Sequence, residues 1–220
     1  MKMCPIISKS HEGLLADFYS ESIEISRLVV PMIFLMFSQV LMSFFSILMF
    51  ARISVPAIAA GGLGLSVYAT VFITCATVLS AIGIAVANIR GSGQLQNSAD
   101  IARQGFYVAM FLSLPAILIL FGFSTLFRFA GFPDDVRLLV NEYVRVCAWA
   151  LPAGLGSVVL REYAYALGRL RIILLLGLFL LPVHILTTCI LMFGIGDFPG
   201  HGVIGAAWAV VLVSWVGFFI

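Results

Sequence analysis

LVVPMIFLMFSQVLMSFFSILMFA, residues Leu28–Ala51, runs for 24 residues without a Lys, Arg, Asp or Glu. About 20 apolar residues in a helix cross a hydrocarbon core of roughly 30 Å, so the run predicts a membrane span. It is too long for the apolar region of a signal peptide, and no small-residue cleavage site follows a short one, so the span belongs to the mature protein. The rest of the chain agrees: of 220 residues 62% are hydrophobic, 13% aromatic and 10% charged. Soluble domains hold about 45–50% apolar and about 25% charged residues. So much apolar surface does not fit inside one water-soluble core. The composition argues against an aqueous enzyme. A net charge of +2 from scattered Lys and Arg also argues against the basic face that nucleic acid requires.

Working outward from that run, residues 1–27 are polar and read as a cytoplasmic amino-terminal segment ending in a short helical lead-in. Ile53 to Ile89 carries no charge; as one helix it would be about 55 Å long, more than a span requires. Pro56, Gly61, Gly62 and Gly64 mark the end of a connection, placing the second span at 65–88. The polar loop Arg90–Gln104 follows, with Asn97 or Ser98 as candidate helix cap, then a third span at 105–127. Arg128 to Arg137, with Gly131, Pro133 and two aspartates, reads as a turn. Further spans fall at 139–160, 172–196 and 203–220. The expected fold is an all-α integral membrane bundle of six transmembrane helices over residues 28–220.

Basic residues in short loops stay on the cytoplasmic side. Lys2, Lys9, Arg27, Arg90, Arg103, Arg161, Arg169 and Arg171 make eight on one side, against Arg52, Arg128 and Arg137 on the other. The amino terminus is therefore expected in the cytoplasm, in a multi-pass membrane protein.

Few motifs suggest chemistry. Cys4, Cys75, Cys147 and Cys189 form no CxxC pair, so neither a disulfide framework nor a metal site is expected. Gly200–Gly205 spells GxGxxG, yet it follows a membrane span rather than the strand a dinucleotide site needs, and reads as a turn into the last helix. No catalytic constellation, and no cofactor, is expected. Polar groups at membrane depth are more informative, because each costs free energy unless it meets a partner or a water-filled cavity. Gln39, Ser43 and Ser46, at separations of four and three, share a helical face. They serve either helix-to-helix hydrogen bonding or a cavity lining. Glu142 and Arg145 are spaced to pair with each other. His184 and Thr188 share a face beyond Pro182, which frees the carbonyl four residues back. His184 is the one histidine at membrane depth, either a structural imidazole or a protonatable site.

From Pro31 onward the sequence resembles the amino-terminal half of the multidrug and toxic compound extrusion transporters. The resemblance rests on Pro31 with Gln39, Ala59-Ala60, Asn88-Ile89-Arg90-Gly91-Ser92-Gly93, Glu142-Tyr143-Val144-Arg145, and Arg161 with Gly168-Arg169. Its most specific piece is Phe193-Gly194 followed by Pro199, Gly202, Val203, Gly205, Ala206, Ala207 and Ala209. It implies one lobe of a twelve-helix transporter and secondary active efflux of amphipathic or cationic small molecules, with H+ or Na+ as coupling ion. A second six-helix half and the lipid bilayer are the implied partners. The family commonly has an acidic residue in helix one where Ser46 stands, and one branch has an asparagine and an aspartate in helix five where His184 and Thr188 stand. Gln39, Ser43, Ser46, His184 and Thr188 are the candidate pathway residues. Two other readings are a lipid-linked-precursor flippase of the same superfamily, which wants a more cationic cavity, and a truncated remnant or scaffold, suggested by the last apolar run reaching Ile220.

Overall fold

The computed structural model describes residues 11–92, 98–129, 131, 133–195 and 198–220. Residues 1–10, with Lys2, Cys4 and Lys9, together with Asn97 and Gly196, lie outside them. The chain is built of α1 (His11–Ala51), α2 (Val55–Gly91), α3 (Ser98–Phe129), α4 (Asp134–Cys147), a 3-10 turn (Ala148–Ala150), α5 (Leu151–Ala166), α6 (Leu170–Phe193) and α7 (Gly202–Phe219). Two-residue strands β1 (Gly194–Ile195) and β2 (Phe198–Pro199) pair antiparallel between α6 and α7. Among the described residues six helical stretches are long and apolar enough to cross a membrane, with α4, the turn and α5 together making one of them.

Several boundaries differ from those read in the sequence. The lead-in and the first span are one continuous helix from His11. The second helix starts at Val55, not near 65: Ser54 caps it, its Oγ accepting from the Ala57 N–H at 3.2 Å, and Pro56 sits in the first turn. Proline is tolerated there because the N–H it lacks has no helical partner in the first turn. Gly61 and Gly64, read as breakers, lie inside α2 because the rings of Phe50 and Tyr143 press on them where a Cβ would stand. Small residues let membrane helices approach closely. The fourth span is broken: Pro152, at the second position of α5, follows the 3-10 turn. Span five ends at Phe193, before the strand pair.

The broken span is the axis of the bundle. It is 67% buried, against 11–39% for the others, and Val140, Tyr143, Val144, Cys147, Ala148, Ala150 and Leu151 all lie in its core. α2, α3 and α7 pack around it, while α1 lies outside, against α6. The outer faces carry Phe34, Phe37, Phe111, Leu118, Leu175 and Trp149, all exposed, the character a lipid-facing surface requires. Glu142 and Arg145, expected to pair, are each exposed, and among the described residues they make no ion pair with each other; the ion pair seen there is Arg137 to Asp134 at 2.9 Å. Gly200 to Gly205 is a turn and the first turn of α7, with Gly202 at φ +54°.

Candidate functional site

The contact of α1 with α6 brings two polar side chains together inside the membrane. Ser46 and His184 are each 7% exposed, and Ser46 Oγ lies 3.4 Å from His184 Nε2. The single hydroxyl proton of Ser46 points to the Met42 carbonyl at 3.0 Å. Its lone pairs are thereby left for an Nε2–H of His184, a tautomer assigned from the hydrogen-bond pattern.

One turn along α6, Thr188 is 1% exposed, and its Oγ1 is the one fully buried side-chain oxygen or nitrogen among the described residues that has no hydrogen-bond partner. Leaving a buried hydroxyl unpaired costs about 1–3 kcal/mol. Its neighbour Thr187, by contrast, donates to the Val183 carbonyl at 2.7 Å. Pro182 stands inside the same helix and removes the N–H that the Leu178 carbonyl would otherwise receive. Imidazole, hydroxyl and interrupted backbone thus share one stretch of α6. Such a place can take a proton on the imidazole or a hydrogen-bonding group on Thr188.

Of the five residues singled out in the sequence, Ser46, His184 and Thr188 are buried in the α1–α6 region, and the first two touch. Gln39 and Ser43 stay exposed, with the Ser43 hydroxyl donating to the Gln39 carbonyl at 3.3 Å. They do not join the buried group. A further polar face was not singled out. On α2, Ser66, Thr70, Thr74 and Thr77 are exposed, and each donates 2.8 Å back to a carbonyl of its own helix. Their spacing of four, four and three was the available signal. No three His, Cys, Asp or Glu side chains gather to hold a metal among the described residues.

A family model described as MatE matches residues 31–190. "Probable multidrug resistance protein NorM" of Pseudomonas putida is 32% identical over 189 residues, which are 86% of this chain and 41% of that protein. The protein of the same name from Synechocystis sp. is 28% identical over 199 residues, 90% of this chain and 43% of that one. Among solved structures, the eukaryotic MATE transporter AtDTX14 superposes with a TM-score of 0.83 at 18% identity, over 91% of this chain and 44% of that chain. A MOP superfamily transporter from Pyrococcus furiosus gives 0.81 at 22% identity, over 89% and 42%. The likeness to these structures speaks for the fold. The chain spans less than half the length of the relatives it matches.

Proposed function

Because this chain belongs to the MatE family, we propose that it supplies one six-helix half of a secondary efflux transporter for amphipathic or cationic small molecules in the bacterial inner membrane, its amino terminus cytoplasmic. The observation that carries the reading is the Ser46–His184 contact beside an unpartnered Thr188. Ser46 and Thr188 cannot balance a sodium ion as a carboxylate does. A proton is the favoured coupling ion, because an imidazole changes charge near neutral pH. In this scheme His184 takes a proton from one side of the membrane when water reaches the α1–α6 contact and releases it toward the other. Ser46 holds the ring in one orientation, and Thr188 offers its hydroxyl to water or substrate.

The α2 face supports a second half. Ser66, Thr70, Thr74 and Thr77 form a polar file on the outside of the bundle, where lipid gains nothing from hydroxyls. A facing bundle, with water or substrate between, gives them partners. The test is efflux of a cationic dye, driven by an imposed pH gradient, from vesicles carrying the transporter that this half completes. A rate independent of both the gradient and the protein would sink the proposal.

A further inference from the structure

Five arginines with described side chains stand where α2 and α5 finish and α3 and α6 begin: Arg90, Arg103, Arg161, Arg169 and Arg171. The acids with described side chains at that end are Asp100 and Glu162. Among the described residues none of the five arginines is held in an ion pair.

The turn between α5 and α6 gathers three of them. The Arg169 N–H donates to the Ala164 carbonyl and the Gly168 N–H to the Tyr165 carbonyl, each at 2.9 Å. Such a helix ending needs a residue in the left-handed region, here Gly168 at φ +71°. Arg90 crosses from α2, its Nη1 donating to the Ala166 carbonyl at 2.9 Å, and a Cβ on Gly168 would stand 3.2 Å from that nitrogen. One corner of the guanidinium is thereby fixed on the turn, and among the described residues its other N–H groups have no partner. Arg169 follows Gly168 directly and Arg171 stands in the first turn of α6, both exposed.

This turn lies at the level of lipid headgroups. α6 has 24 residues, about 36 Å of helix, against a hydrocarbon core of roughly 30 Å. Its first turn therefore reaches the headgroup region when the rest spans. Tyr163 and Tyr165, half-buried in the last turns of α5, suit that level, where tyrosine is enriched. Beyond Arg171 the same face of α6 is apolar and open: Leu175 and then Leu178, at steps of four and three, are 64% and 60% exposed. An arginine heading a row of exposed leucines matches a phosphate with an acyl chain beneath it. Guanidinium binds phosphate oxygens through paired N–H groups, and one basic residue near an anionic membrane surface strengthens attraction about fivefold.

We propose that the α5–α6 turn and the outer face of α6 bind an anionic phospholipid: Arg90, Arg169 and Arg171 hold the headgroup phosphate, and an acyl chain lies along Leu175 and Leu178. A phosphatidylcholine headgroup offers the same phosphate beside a quaternary ammonium, which the arginines repel, so the site selects lipids of net negative charge. His184 lies about three and a half turns further along α6, so this site is separate from the α1–α6 group.

The test uses the full chain, delipidated in detergent and offered equal amounts of phosphatidylglycerol and phosphatidylcholine with the same acyl chains. Bound lipid is identified by native mass spectrometry. The wild type is expected to retain phosphatidylglycerol at least about fivefold over phosphatidylcholine, and Arg169→Gln with Arg171→Gln to lose that preference. Arg52→Gln with Arg137→Gln removes as much charge from the other end of the bundle and is expected to keep it. Glycerophosphoglycerol, the same headgroup without acyl chains, is expected to compete poorly. Equal retention of the two lipids by the wild type overturns the proposal, whether or not the double variants fold; it is the result expected if the acidic lead-in, with Glu21 and Glu24, covers the arginines. A preference lost equally in both double variants would reduce the effect to net charge, and a bare headgroup that displaces lipid at matched concentration would make this a free anion site. Either result overturns the proposal too.

Discussion

Phe50 of α1 and Tyr143 of α4 meet edge to face, ring centroids 6.2 Å apart and planes at 80°, with Gly61 of α2 under the first ring and Gly64 under the second. Three helices are thus locked at one level of the bundle. Tyr143 is 1% exposed and has nowhere to retreat. In Gly64→Ala a Cβ would stand 2.5 Å from its ring, an overpacking of the kind that costs about 1–3 kcal/mol. The expected result is a thermal midpoint in detergent lower by at least about 2 °C. Gly62, with nothing within 4 Å of a Cβ, is the control: Gly62→Ala should not lower the midpoint, and the better helix propensity of alanine favours a small rise. Equal midpoints for the two variants would show that the ring contact is not rigid.

Thr188→Val replaces an unpartnered buried hydroxyl by a methyl of nearly the same shape. If the hydroxyl is kept for a ligand or water in transport, its removal stabilises the resting bundle by about 1 kcal/mol while lowering efflux. Thermal midpoint and dye efflux, measured on the same preparation, should move in opposite directions. A lower midpoint would mean that Thr188 has a partner in the membrane and is structural.

The orientation is open to a direct measurement. Asp135 and Asp100, both exposed, lie at the start of α4 and of α3, on opposite sides of the membrane by the basic-residue asymmetry. With the native cysteines replaced, a membrane-impermeant maleimide added to intact cells should label Asp135→Cys and spare Asp100→Cys. The reverse pattern would invert the topology.

Residues 1–220 by themselves should not move drug. A lone bundle turns Ser66, Thr70, Thr74 and Thr77 and the exposed Gln39 outward. The hydroxyls are satisfied within α2, but without a facing bundle they enclose no cavity. Vesicles containing the chain as a monomer should retain a loaded cationic dye as long as empty vesicles do. Gradient-dependent loss from such vesicles would overturn the two-half reading.

How far the sequence could be read depended on which kind of force decided each feature. The spans are legible because transfer of a charge into hydrocarbon is so costly that charge-free runs mark them. The start of α2 was not, because Pro56, Gly61 and Gly64 signal a loop in water but serve first-turn geometry and ring contacts here. The 3-10 turn at Ala148–Ala150 lies in an apolar run whose one local cue is Pro152. Helical spacing identified Gln39, Ser43 and Ser46 as one polar face, yet burial divides them: Ser46 packs against α6 while the other two stay outside. That Ser46 would meet His184, 138 residues away, depends on how α1 lies across α6, which neither helix encodes alone.

His184 is the residue on which the proposed coupling stands. Its ring is buried, and Ser46 is the hydrogen-bonding side chain that meets it at Nε2. An imidazole's ordinary pKa near 6.5 puts its charge change within reach of modest changes in surroundings. A packing histidine and a coupling histidine predict different outcomes for His184→Gln. Glutamine keeps hydrogen-bonding capacity and much of the volume but carries no proton charge, so a packing role leaves efflux and its pH dependence nearly unchanged once expression is matched. A coupling role costs about tenfold or more in gradient-driven rate, equivalent to about 1.4 kcal/mol, and flattens the pH profile. Ser46→Ala sharpens the test, because it removes the hydroxyl from Nε2 while leaving the titratable ring; it should shift the profile along the pH axis rather than flatten it. Measurement is of dye efflux from vesicles of the complete transporter under imposed pH gradients. An unchanged rate and profile in His184→Gln would remove the imidazole from the mechanism and assign coupling to the other half.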